Sequence, residues 1–99
     1  MARMMRTVAV SMAMESRRPA ARKDNLDYIA GVAAAAAALR PDVVCLPEAF
    51  PLACLAGGVK EWCSPDDAAF LRRLAKKHRC NIVGSIYEER RGRLYNTAL

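Results

Sequence analysis

Pro41-Asp42-Val43-Val44-Cys45-Leu46-Pro47-Glu48-Ala49-Phe50 decides the reading of this chain. Four apolar residues, Val43 to Leu46, follow a helical segment directly and stop at a proline, which is the pattern of a short, buried, parallel strand. Glu48 comes next, with Pro47, Ala49, Phe50 and Pro51 around it. In an open α/β sheet, ligands bind beyond the carboxyl ends of the strands, where Glu48 is expected to fall. A carboxylate in such surroundings is a candidate general base. The competing reading is a loop acid paired with one of many arginines. Cys45 does not complete a Cys/Glu pair, because the alternation of an extended strand puts positions 45 and 48 on opposite sides.

Upstream of that stretch, Val8, Val10, Met12 and Met14 alternate with Thr7, Ala9, Ser11 and Ala13. This predicts a strand over 7–14 packed on both sides, its second face made of small residues. A polar connection from Glu15 to Lys23 leads to Asp24-Asn25-Leu26-Asp27, read as an N-cap with an acid three residues on. Leu26, Ile29, Ala30, Ala33 and Ala37 then recur at helical spacing, and the run Ala33 to Ala38 has the highest helix propensity available. Pro41 is expected to end the helix, because the residue before a proline disfavours helical geometry.

Downstream, an irregular stretch with Pro51 and Gly57-Gly58 leads to Ser64-Pro65-Asp66-Asp67, a capping serine with proline at the first helical position. The helix that follows places Phe70, Leu71, Leu74, Ala75 and His78 on one face and Arg72, Arg73, Lys76 and Lys77 on the other. His78 ends the apolar stripe where the helix dipole favours a cation, which gives it a structural role. Asn81 to Tyr87 is β-rich, Glu88 to Gly92 is a polar turn, and Arg93 to Leu99 alternates, so a hairpin closes the sequence. The expected order is β-α-β-α-β-β in an α/β fold. A chain stopping at Leu99 inside a strand leaves unpaired backbone groups, and this is read as truncation.

With 99 residues there is room for one domain at most. Hydrophobic residues are 54% of the chain, enough for a folded core and against a disordered one. Lys and Arg number 16 against 10 Asp and Glu, for a net charge of +6. The cations are scattered and lack the interleaved aromatics of a single-strand-binding platform, so no nucleic acid partner is expected. Cys45, Cys54, Cys63 and Cys80 form no C-x-x-C pair, and the one histidine is His78, so neither a zinc site nor any other metal or organic cofactor is expected. Cysteines in or beside apolar runs read as free thiols in a reducing compartment. Met1 to Met14 lacks a cleavage motif and runs into Glu15-Ser16-Arg17-Arg18, and no stretch is long and apolar enough to span a bilayer. The expectation is a cytoplasmic protein without a membrane partner.

The segment Pro41 to Phe50 resembles the one that carries the catalytic glutamate of the nitrilase or carbon-nitrogen hydrolase superfamily. Val8 to Met12 resembles the first strand of that family, Asn25 to Leu39 its first helix, and Asn81-Ile82-Val83-Gly84-Ser85 its next core strand. Arg93-Leu94-Tyr95-Asn96-Thr97-Ala98 resembles its recurrent Leu-Tyr-Asn-Thr-Ala strand, so the likeness covers essentially residues 1–99. The resemblance implies the N-terminal part of an α-β-β-α sandwich, with a Glu-Lys-Cys set acting on non-peptide C–N bonds of small amides, carbamoyl compounds or nitriles. Glu takes the thiol proton, the thiolate attacks, and Lys stabilises the anionic intermediate. By that mapping Glu48 is the general base, and Phe50 helps wall the substrate pocket. The lysine and cysteine of the family lie farther along than Leu99; Lys60, Lys76, Lys77 and the four cysteines do not take their places. The chain alone is therefore expected to be inactive, and the resemblance implies homo-oligomers for the full-length protein. The alternative is a non-catalytic truncated module that self-associates or pairs with a full-length relative.

Overall fold

The apolar run after Pro41 forms β2 (Val43–Cys45), the central strand of a three-stranded parallel sheet flanked by β1 (Thr7–Ala9) and β3 (Asn81–Val83). The structure is a computed structural model that describes residues 3–11, 21–48, 50, 64 and 66–99. The register pairs Val8 with Val44 and Val44 with Ile82. Asp42 holds the amino edge of the sheet together. Its carboxylate accepts from the Arg6 N–H at 2.9 Å and from Arg3 at 3.0 Å, and its carbonyl accepts from the backbone and side-chain nitrogens of Asn81, each at 3.1 Å. The expected strand over 7–14 is thus shorter among the described residues; Met12 and Met14 lie outside them.

The sequence from 21 to 37 forms α1 (Ala21–Ala37), which starts before the expected cap at Asp24. Ala21, Arg22 and Lys23 are strong helix formers, and Asp24 sits inside the first turn, where a negative charge favours the helix dipole. At its other end Leu39 and Arg40 donate to the carbonyls of Ala36 and Ala37 at 2.9 and 3.0 Å, a tightened last turn before Pro41. Ser64 caps α2 (Asp66–His78) as its sequence predicts, with its hydroxyl accepting from the Asp66 N–H at 3.3 Å. Pro65 lies outside the described residues. Arg79 follows α2 with a φ of 52°, and the Cys80 N–H reaches back to the Ala75 carbonyl at 3.3 Å, a left-handed cap.

Both helices cover the same face of the sheet, because two successive right-handed crossovers in one direction leave no other choice. Ile29 and Ala33 of α1 and Leu71 and Leu74 of α2 share one buried cluster with Phe50 and Ile86, and Ile82 packs against it. Asp67, only 1% exposed, binds Arg22 across the junction of the helices. Val44 is buried on the helix side, whereas Thr7, Ala9, Asn81 and Val83 on the opposite side are exposed. The expectation of a first strand packed on both sides is corrected here for its described residues: Val8 is half-buried beside an apolar hollow that α1 also lines, while Thr7 and Ala9 on the other face are exposed.

The β-rich run 81–87 is divided at Gly84 into β3 and β4 (Ser85–Arg90), and β4 pairs antiparallel with β5 (Arg93–Ala98) as a separate two-stranded sheet. The resulting order, β-α-β-α-β-β-β, has one strand more than expected. The cause is tertiary: Gly84 passes directly against the side chains of Phe50 and Leu71. The turn is also tighter than the expected Glu88 to Gly92. Arg91 and Gly92, with φ of 52° and 74°, make a two-residue connection whose left-handed backbone matches the twist of the strands.

Candidate functional site

Glu48 stands beyond the carboxyl end of β2, in a turn fastened at both of its ends. On one side the Leu46 N–H donates to the Val83 carbonyl at 2.8 Å, which extends the parallel pairing past Cys45. On the other, Phe50 is fully buried in the core and its ring lies 6.1 Å from that of Phe70. The two anchors leave Glu48 at the exposed crest. Its carboxylate meets β5 there: Asn96 Nδ2 donates to Glu48 Oε1 at 2.7 Å.

Strand register explains why Asn96 faces this way. Residues opposite one another in an antiparallel pair share a face. Tyr87 and Asn96 therefore lie on one side of the hairpin, with Glu89 and Leu94, while Ile86 and Thr97 lie on the other. Ile86 is buried against the helices, so its face points inward and that of Asn96 points away from them. The inward face has its own polar set. The Thr97 hydroxyl donates to Glu88 at 2.8 Å and Arg90 donates to the same carboxylate oxygen at 2.6 Å, so these hydrogen bonds hold the Glu88 carboxyl below the usual range. Arg90 also lies over the Tyr95 ring at 5.6 Å.

No described cation pairs with Glu48; the described ion pairs involve Asp42, Asp67, Asp27 and Glu88 instead. Phe50, the other residue singled out for the site, is in the core and behind the Glu48 turn. His78 lies in the last turn of α2, which leads to the opposite, amino edge of the sheet. Cys45 and Cys80 are free thiols, and Cys54, Cys63 and Lys60 lie outside the described residues. Among the described residues no group of three His, Cys, Asp or Glu side chains is placed to hold a metal ion, and no helix is long and apolar enough to cross a membrane. Three surface hollows elsewhere, such as the apolar one between Val8, Tyr28, Val32 and Leu39, do not involve Glu48.

Asn96 is the site residue that sequence reasoning passed over. Its only signal was membership of the Tyr95-Asn96-Thr97 element, and nothing in that tripeptide says which carboxylate it meets. The arrangement holds a carboxylate by a neutral donor beyond the carboxyl ends of the strands, where ligands of open α/β sheets commonly bind. No curated protein matches the chain. Among families, carbon-nitrogen hydrolase matches residues 7–99, nearly the whole sequence. A mixed α/β architecture, a Leu-Pro-Glu turn at the strand ends and a Tyr-Asn-Thr strand bonded to it agree with that match, and the chain belongs to the carbon-nitrogen hydrolase family.

Proposed function

We propose that residues 7–99 supply the glutamate of a Glu-Lys-Cys hydrolase acting on non-peptide C–N bonds of small amides, carbamoyl compounds or nitriles. Glu48 is the general base. The supporting observation is its carboxylate, set at the carboxyl edge of β2 by Leu46 and Phe50 and bonded to Asn96 rather than to a cation. The partner is a neutral amide that orients the carboxylate without pairing it with a charge. Glu48 takes the proton of a cysteine thiol, and the thiolate attacks the amide or nitrile carbon. A lysine stabilises the anionic tetrahedral intermediate, and water then hydrolyses the thioester. Lysine and cysteine come from sequence outside this segment, in a second half of an α-β-β-α sandwich. Phe50 serves the pocket from within, by fixing the turn that carries the base.

The test is to extend the coding sequence past codon 99 and express both products. The 99-residue chain is expected to turn over no amide, carbamoyl or nitrile substrate. A longer product with an in-frame lysine and cysteine is expected to do so, and Glu48→Gln to remove about 10²–10⁴-fold of its rate, the usual contribution of a general base. Full activity in Glu48→Gln overturns the assignment.

A second reading is favoured by the exposed residues on the far side of the sheet, among them Val83 at 46%. In it the chain is a non-catalytic module that associates with itself or with a full-length relative through that side. Sedimentation of the purified chain separates the two: a concentration-independent monomer with cooperative unfolding counts against self-association.

A further inference from the structure

The Glu48 carboxylate has two oxygens, and the hydrogen bond from Asn96 distinguishes them. We infer that Asn96 is a positioning residue that fixes Oε1 and presents Oε2 as the proton-accepting atom, an assignment that rests on the reading of Glu48 as the base. An ionised carboxylate only accepts, so the amide facing it must present its nitrogen, and this settles the orientation of the Asn96 side chain. The donor is neutral, so it stays in place after Oε2 has taken a proton and Oε1 is the carbonyl oxygen of an acid. Twelve arginines are present in the sequence, yet no described one is placed at Glu48.

The contact joins parts of the chain that no local interaction would bring together. Glu48 sits at the crest of the turn after β2, whereas Asn96 is central in β5, opposite Tyr87. Both residues are exposed, so the bond adds little to stability, since water competes for the same groups. What it supplies is direction. A glutamate at the crest of a turn has three rotatable bonds, and a hydrogen bond to a paired strand favours the rotamers that keep Oε1 on Asn96. The hairpin is therefore part of the site, and Asn96 acts on the reaction only through Glu48.

The sequence makes the contact unusually easy to read. It contains no glutamine and three asparagines, Asn25, Asn81 and Asn96, so a ¹⁵N-labelled sample of the 99-residue chain has only three side-chain amide signals of the NH₂ type. The Asn96 signal is expected to move in one step as the carboxylates titrate, and to lose that step in Glu48→Gln, which keeps shape and removes charge. Asn25 and Asn81 are expected to be unaltered by the substitution. An Asn96 signal that does not titrate, or that titrates equally in Glu48→Gln, overturns the inference. Thr97→Ser, a mild change on the opposite face of β5, serves as the folded control and is expected to leave the Asn96 step in place. In a catalytically competent longer product, Asn96→Ala is expected to lower kcat by about 10–100-fold with KM within about twofold, as for a misoriented catalytic group. Loss of activity in Glu48→Gln with none in Asn96→Ala sinks the positioning role alone. A step that is present in the unsubstituted chain and lost in Glu48→Gln, together with full activity of Glu48→Gln in the longer product, sinks the general base instead.

Discussion

A methyl group at position 84 would stand 3.1 and 3.2 Å from ring carbons of Phe50 and 3.5 Å from Leu71 Cδ1. Those neighbours are themselves fully packed, so the ring has little room to give. Gly84→Ala is expected to destabilise the chain by about 1–3 kcal/mol, the usual effect of overfilling a core, measured by urea unfolding. The same substitution pushes on the residue that anchors the Glu48 turn. The Asn96 amide signal is therefore expected to shift with it, even though position 84 touches neither Glu48 nor Asn96 in sequence. Gly84 is legible in the sequence as part of a β-rich run, but the break it makes between β3 and β4 is not. Period-two reading sees a β-rich run, whereas the demand for a missing side chain comes from Phe50, more than thirty positions earlier.

At the scale of elements, the junction of α1 and α2 depends on a buried charge. Asp67 lies in the first turn of α2, its Oδ2 has no partner among the described residues, and Arg22 of α1 is the cation that compensates it. Arg22→Leu strands that carboxylate and is expected to destabilise by about 3–5 kcal/mol, a large share of the stability of so small a domain. Arg22→Leu with Asp67→Leu is expected to recover most of the loss, because a well-packed apolar pair replaces a buried ion pair at little net change. Urea midpoints of the three proteins check this. The sequence announced both helices, since alanine content, apolar spacing and the Ser64 cap are local signals. It did not announce their junction. Asp67 reads as an N-terminal acid suited to the dipole, and its second duty to Arg22 is set by how two helices lie on one sheet face. Val43 to Cys45 was legible for the opposite reason: a central parallel strand is buried enough to be apolar throughout.

Taken whole, the molecule should lose stability in acid. Asp42 is held below the usual carboxylate range, first by the hydrogen bond from the Arg6 N–H and then by the Arg3 charge, and Glu88 is held below it by Arg90 and Thr97. Groups depressed in the folded state stabilise it above their unfolded pKa, about 4, and that contribution disappears as pH falls through the lower folded values. The urea midpoint is expected to be flat near neutrality and to drop below about pH 4. Asp42→Asn with Glu88→Gln is expected to flatten the drop. The two carboxylates sit at different places, one at the amino edge of the parallel sheet and one on the hairpin, so their contributions should add. β4 and β5 are joined by two residues, and such hairpins close in about 1–10 μs. The parallel sheet is slower, because Thr7 must find Val43, and Val43 must find Asn81, across whole intervening helices. Asn96 thus rides on the most local pairing of the chain, whereas Glu48 hangs from β2, whose partners are the most distant in sequence.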